Sequence, residues 1–281
     1  MNSTRVIGLG LIALVIAAPA WAATKGPVPL KSPKNFPIVI SRSGSYQLIG
    51  NLAVPTAAPA IQIEASNVTL DLNGFTVQGN DATSLNGIIA TNTDLRNVTI
   101  ENGVVHGFAI NGVNLAGSGH VVLDVRAEGN GVNGVHVSVG SLVERCTATG
   151  NGAAGIAADT ACAIQNNVCT GNGTYGINAG QLCTVLHNTC NQNGQNGIRT
   201  DQGSTVSQNN CSGNSNPGIQ CIGSNNSIVG NTCVLNNTAG IDLGSANGNY
   251  AAENKLSGNS TPIINAGGDT LGTGDLANVT F

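Results

Sequence analysis

From Ile38 to Ile264 the apolar residues of this chain fall in short alternating bursts, and each burst gives way to a cluster of Asn and Gly. No stretch of that region keeps the roughly 3.6-residue spacing of an amphipathic helix, so strands broken by tight corners are expected. The bursts are also in step. A glycine followed by Ile or Val returns at Gly87-Ile88, Gly112-Val113, Gly134-Val135, Gly155-Ile156, Gly176-Ile177, Gly197-Ile198, Gly218-Ile219 and Gly240-Ile241. The intervals are 25, 22, 21, 21, 21, 21 and 22 residues. A period this even predicts a solenoid in which each repeat is one coil.

Aligning the coils on that glycine sorts the side chains into rows. The Ile/Val row itself and the row two residues on (Ala90, Leu115, Val137, Ala158, Ala179, Thr200, Cys221, Leu243) are mostly apolar or small. Alternation along a strand sends both inward. Twelve residues before the glycine stand Val122, Val143, Ile164, Val185, Val206 and Ile228, and seven before it Ala127, Ala148, Cys169, Cys190, Cys211 and Cys233. Each coil therefore offers three short strands. Two rows of Asn mark corners: Asn130, Asn151, Asn172, Asn193, Asn214 and Asn236, then Asn167, Asn188, Asn209 and Asn231. Asn tolerates the left-handed conformation of a tight corner, and stacked amides bond from coil to coil, so both rows are read as architecture.

The unit Asn209-x-Cys211-x-x-Asn214-x-x-x-Gly218-Ile219 resembles the repeat of right-handed parallel β-helix proteins of the pectin-lyase-like superfamily, of the secreted bacterial type. The segment from Asn67 to Gly79 looks like the first coils of such proteins. The resemblance implies an all-β, right-handed parallel β-helix solenoid of about ten coils of ~21 residues. The expected organisation is a leader at 1–22, an N-terminal segment and cap at 23–54, the helix at 55–266, and a C-terminal cap or tail at 267–281. The fold hosts lyases, hydrolases, esterases, epimerases and non-catalytic adhesins, so it does not choose an activity.

The leader is read from Arg5, the apolar stretch Val6 to Ala18, and the small-x-small step Ala20-Trp21-Ala22. That stretch is too short to span a bilayer, and no second one follows, so a secreted or periplasmic chain without a membrane span is expected after cleavage. The net charge is −4, and Lys25, Lys31, Lys34 and Lys255 all flank the repeats. Nucleic acid, whose phosphates demand a basic face, is excluded as a partner. A monomer is expected.

All eight cysteines lie between Cys146 and Cys233. An even count in an exported chain suggests disulfides, and pairs around a corner, Cys162 with Cys169 and Cys183 with Cys190, suit a bridge better than directly stacked ones. The opposite reading, buried free thiols packed as small apolar groups, stays open. The C-x6-C spacing does not suit zinc, and no motif calls for a metal or cofactor.

Chemistry is left to the outward rows. One reads Asn114, His136, Ala157, Asn178, Arg199, Gln220, Asp242, and another includes Ser138, Asp159 and Asp201. Asp159, Asn178, Arg199 and Asp201 should form one polar patch; Asp159, Arg199 and Asp201 are the catalytic candidates, and His136, Asn178 and Asp242 the ligand-binding ones. The two aspartates stand two coils apart, about 9.6 Å, near the upper end for an inverting glycosidase pair. By the resemblance, Arg199 would neutralise a uronate or act as a base. A second group, Asp124, Arg126, Glu144 and Arg145, is explained by a surface ion pair, and its row continues to His187. His106 and His120 have no assigned row.

The motifs of the catalytic relatives are missing. There is no Asp-Asp pair with Gly-His-Gly as in polygalacturonases, no W-x-D-H or R-x-P-x-x-R as in pectate lyases, and no Asp-Pro-His-Asp string as in alginate epimerases. Tyr46, Tyr175, Tyr250, Phe36, Phe75, Phe108 and Phe281 are the only aromatics after the leader, few for a sugar platform. The expected role is a scaffold contacting polysaccharide or another surface without catalysis. The alternative is a polysaccharide lyase, epimerase or glycoside hydrolase using the Asp/Arg patch.

Overall fold

Each apolar burst is a strand, typically of three residues, such as Ile156–Ala158, Ala163–Gln165 and Val168–Thr170 within one coil. The structure, a computed structural model, describes residues 26–80, 83–273 and 278–280, and the expected leader at 1–22 lies outside them. The three strands of that coil pair in parallel with Ile177–Ala179, Thr184–Leu186 and Thr189–Asn191 of the next. Stacking each strand on its successor satisfies backbone groups that one coil cannot pair by itself.

The result is a parallel β-solenoid with three faces. Face I is an eleven-stranded sheet running from Ile38–Ile40 to Thr261–Ile264. Faces II and III merge into one 21-stranded sheet, because Val98–His106 and Val121–Glu128 run through the corner between them. Eleven coils exceed the expected ten because Ile38–Ile40 already forms a coil strand, paired with Ile61–Ile63, ahead of the first metered glycine. Below it Val28–Leu30 pairs with Tyr46–Leu48, and at the other end Thr270–Leu271 and Val279–Thr280 extend faces II and III.

The inward rows form one continuous core. Ile156, Ile177, Ile198 and Ile219 from face I meet Val143, Ile164, Val185 and Val206 from face II and Ala148, Cys169, Cys190 and Cys211 from face III, all fully buried. The small third row lets a flat coil close around large residues on the other two.

The corners correct one expectation. The left-handed residue is not the ladder Asn but the one before it, for example Asn166 (φ 58), His187 (φ 54) and Gln208 (φ 54), or Gly129 (φ 59) and Gly150 (φ 64). That turn aims the following Asn into the wall. Asn188 Nδ2 donates to Asn209 Oδ1 at 3.0 Å and to Ile164 O at 2.9 Å, while its Oδ1 accepts from the Asn167 N–H at 2.9 Å and Asn167 Nδ2 at 3.0 Å. No buried side-chain polar atom among the described residues lacks a partner.

A third ladder runs along the corner from face I to face II. His120, Ser141, Cys162, Cys183, Ser204, Asn226 and Asn249 share it, and Asp269 ends it by accepting from the Asn249 N–H at 2.8 Å. From the sequence only Cys162 and Cys183, both seven residues after the metered glycine, stand out as sharing this row, because its chemistry changes from coil to coil while its position does not.

All eight cysteines are free and buried. Cys162 and Cys183 stand in this third ladder, their thiols donating to Ser138 O at 3.2 Å and Asp159 O at 3.0 Å. Cys169 and Cys190 belong to the inward row of face III, in register with one another. The corner pairs Cys162–Cys169 and Cys183–Cys190 are thus split between different rows and are not bridged. Burial pushes the Cys146 thiol up to about 12 and raises those of Cys190 and Cys221 as well.

Candidate functional site

Alternation on face I turns the residue between two inward ones to solvent. Asn114, His136, Ala157, Asn178, Arg199, Gln220 and Asp242 hold one register across seven coils, the expected row. Where the strand ends, Asp159 and Asp201 project beside it, with Gly180 at the same position on the coil between them. Gly180, with Ala158 and Ala179 beside it, leaves a concavity of about 510 Å³ lined also by Asp159, Asn178, Gln181, Arg199 and Asp201, with Val139 and Ile222.

The four residues of the expected patch therefore line one hollow. Arg199 Nη1 donates to Asn178 Oδ1 at 2.9 Å, and its guanidinium carbon lies 5.5 Å from the centre of the Tyr175 ring. Among the described residues Arg199 enters no ion pair, although both aspartates share its hollow. Asp201 accepts from Gln181 Nε2 at 3.3 Å and from the Gln202 N–H at 2.8 Å. His136 joins from one side: Nε2 lies 3.4 Å from Asp159 Oδ1 and Nδ1 3.0 Å from Asn114 Oδ1. Both ring nitrogens face side-chain oxygens. Asp242 stands apart, bonded to Gln220 Nε2 at 3.2 Å and closing its own turn on the Gly244 N–H at 2.9 Å.

The arrangement offers a ligand one guanidinium with unused N–H groups and two carboxylates able to accept from hydroxyls. Among the described residues no group of three or more His, Cys, Asp or Glu is placed to hold a metal ion. Tyr175 is the residue the sequence reading missed. It occupies the position just before the metered glycine, where Asn133, Ala154 and Asn196 stand on other coils. An aromatic breaking that row one coil from Arg199, the only arginine of the outward row, is the signal that would have found it.

The second charged group is a surface ion-pair network. Arg145 bonds Asp124 through Nε at 2.9 Å and Nη2 at 2.8 Å, and Nη1 reaches Glu144 at 3.1 Å. The Arg145 hydrogen bonds hold the Asp124 carboxyl below its usual range. Asp124, Arg145 and His187 all occupy left-handed corner positions, the row anticipated for them. His106 faces outward beside Glu128, whereas His120 is buried in the third ladder.

A chain of parallel coils with three flat faces and Asn-lined corners belongs to the β-helix class. The sequence matches the family described as right handed beta helix region over residues 86–229 and again over 143–281, and the chain is a member of that family. No curated protein sequence matches it. Among solved structures it is similar to the mannuronan C-5 epimerase AlgE4 A-module of Azotobacter vinelandii, with a TM-score of 0.69 and 14% identity over 91% of this chain and 89% of that one. It is similar to the Dettilon tailspike protein, TM-score 0.61 and 17% identity, covering 85% and 60% of the two chains. A third is the catalytic domain of a GH87 alpha-1,3-glucanase solved with tetrasaccharides, TM-score 0.55 and 12% identity over 86% and 64%. At these identities the likeness is one of fold. Among the described residues no helix is long and apolar enough to cross a membrane.

Proposed function

We propose that this protein is an exported β-helix that holds polysaccharide against face I, with the Asp159–Asn178–Arg199–Asp201 concavity as its contact site and binding rather than turnover as its role. The observation that carries this reading is the unpaired Arg199 in a hollow that also presents two carboxylates. Elsewhere the coils are regular, and Arg126 and Arg145 are paired with carboxylates. Sugar units offer hydroxyls to carboxylates and ring oxygens or acidic groups to a guanidinium, the complement of this hollow. Structural relatives named for an epimerase of mannuronan and for a glucanase support polysaccharide as the partner class. Export to the periplasm or beyond rests on the leader expected at residues 1–22, and a monomer is the expected state.

A second reading, turnover of the bound chain as lyase, epimerase or hydrolase, is favoured by one contact, the His136–Asp159 pair across the hollow from Arg199. Purified protein incubated with acidic and neutral polysaccharides separates the two. Co-sedimentation without unsaturated products or new reducing ends supports binding. Products abolished by Arg199→Ala or Asp201→Ala in a folded protein replace it with catalysis, and an absence of any binding contradicts both.

A further inference from the structure

Two other arginines of the rod are neutralised, while Arg42 and Arg96 stand exposed in solvent and enter no ion pair among the described residues. Arg126 meets Glu128 at 2.6 Å, and Arg145 meets Asp124 and Glu144 at 2.8 and 3.1 Å. Arg199 is held differently, by two neutral partners. Asn178 offers a carbonyl dipole at 2.9 Å and Tyr175 the negative face of its ring at 5.5 Å, within the roughly 6 Å range of a cation–π contact. Neither partner cancels the charge. Tyr175 does not line the concavity, so it touches the guanidinium and leaves the hollow to the ligand.

A half-buried cation fixed by neutral groups and left unpaired is complementary to an anion supplied from outside. We propose that the concavity reads a sugar carboxylate through Arg199, and that Tyr175 is the positioning residue that pre-sets the guanidinium for it. This rests on the polysaccharide reading of the same site. Asn178 fixes one nitrogen and the ring holds the guanidinium carbon over its face, so less side-chain freedom is lost when a planar carboxylate docks. The single coil carrying an aromatic before its metered glycine is the coil stacked directly against Arg199, which places the device where it can act.

The test compares polygalacturonate and polymannuronate with their methyl esters, which keep each backbone and remove the charge. The full exported chain should bind the acids more tightly than the esters, and Arg199→Gln should bring the acids down to the ester level. Tyr175→Leu should weaken acid binding about two- to five-fold, the worth of an exposed cation–π contact, and leave ester binding unchanged. Tyr175→Phe and Tyr175→Trp, which keep a ring face, should restore it. Equal binding of acids and esters, or a Tyr175→Leu loss shared by both, overturns the inference while leaving the polysaccharide reading standing. Binding of neither overturns that reading and the inference with it.

Discussion

The side-chain nitrogen of Asn151 lies 2.7 Å from where a Cβ on Gly134 would stand, and the carbonyl oxygen of Gly155 lies equally close. The metered glycine is thus required by space, not by a left-handed backbone: the Asn ladder of one coil fills the volume a side chain would need on its neighbour. Gly155 repeats the relationship with Asn172, again at 2.7 Å. The ladder and the glycine row are two halves of one packing device. Gly134→Ala should cost roughly 1–3 kcal/mol, the usual penalty of overpacking, visible as a lower urea midpoint with an unchanged slope.

Ladder position should set the cost of losing an amide. Asn188→Ala strips the acceptor from both the backbone N–H and Nδ2 of Asn167 inside the wall. Each stranded buried donor costs about 1–3 kcal/mol, so a loss of several kcal/mol is expected. Asp269→Ala removes only the terminal acceptor of the Asn249 N–H, where water can substitute, and should cost about 1 kcal/mol. Equal midpoints for the two variants would count against buried ladder positions carrying more stability than a ladder's solvent end.

His120 should make stability fall in mild acid. Burial lowers its pKa from 6.5, partly offset by the hydrogen bond to Ala116 O, and Nδ1 accepts from the Val98 N–H at 3.2 Å. The folded state therefore holds the ring neutral, while the unfolded chain protonates near its ordinary pKa. In that window the unfolded state binds more protons, so stability declines as pH drops below about 6.5. His120→Asn, the residue type found further along this ladder, should flatten the melting temperature between about pH 7.5 and about pH 5.5. An unchanged pH slope in that variant would show the effect arises elsewhere.

Thiol counting tests the cysteine assignment. With all eight free and buried, a thiol reagent should find eight in denaturant and almost none in the native protein. Inaccessible thiols react slowly. A count of six or fewer in denaturant would reveal a bridge.

The sequence displayed the fold where a row keeps one chemistry. The Ile/Val row, the Asn rows and the outward row of Arg199 are legible because identical residues recur at identical offsets. The third ladder showed only at Cys162 and Cys183, because His120, Ser141, Cys162 and Asn226 share a position without sharing a side chain. The rule that Asn serves the left-handed corner was misapplied by one residue, since His187 and Gln208 take that strain and free Asn188 and Asn209 to point inward. The concavity was legible in its polar residues and not in Gly180 or Tyr175, because a gap and a supporting ring only acquire meaning once neighbouring coils are stacked.

The central claim is that face I holds polysaccharide through Arg199. Affinity electrophoresis through gels carrying acidic or neutral polysaccharides tests it most directly. Wild type should be retarded in at least one gel, and Arg199→Gln should be clearly less retarded in that gel with its circular dichroism and melting temperature unchanged. A folded Arg199→Gln protein retarded as strongly as wild type would contradict the account.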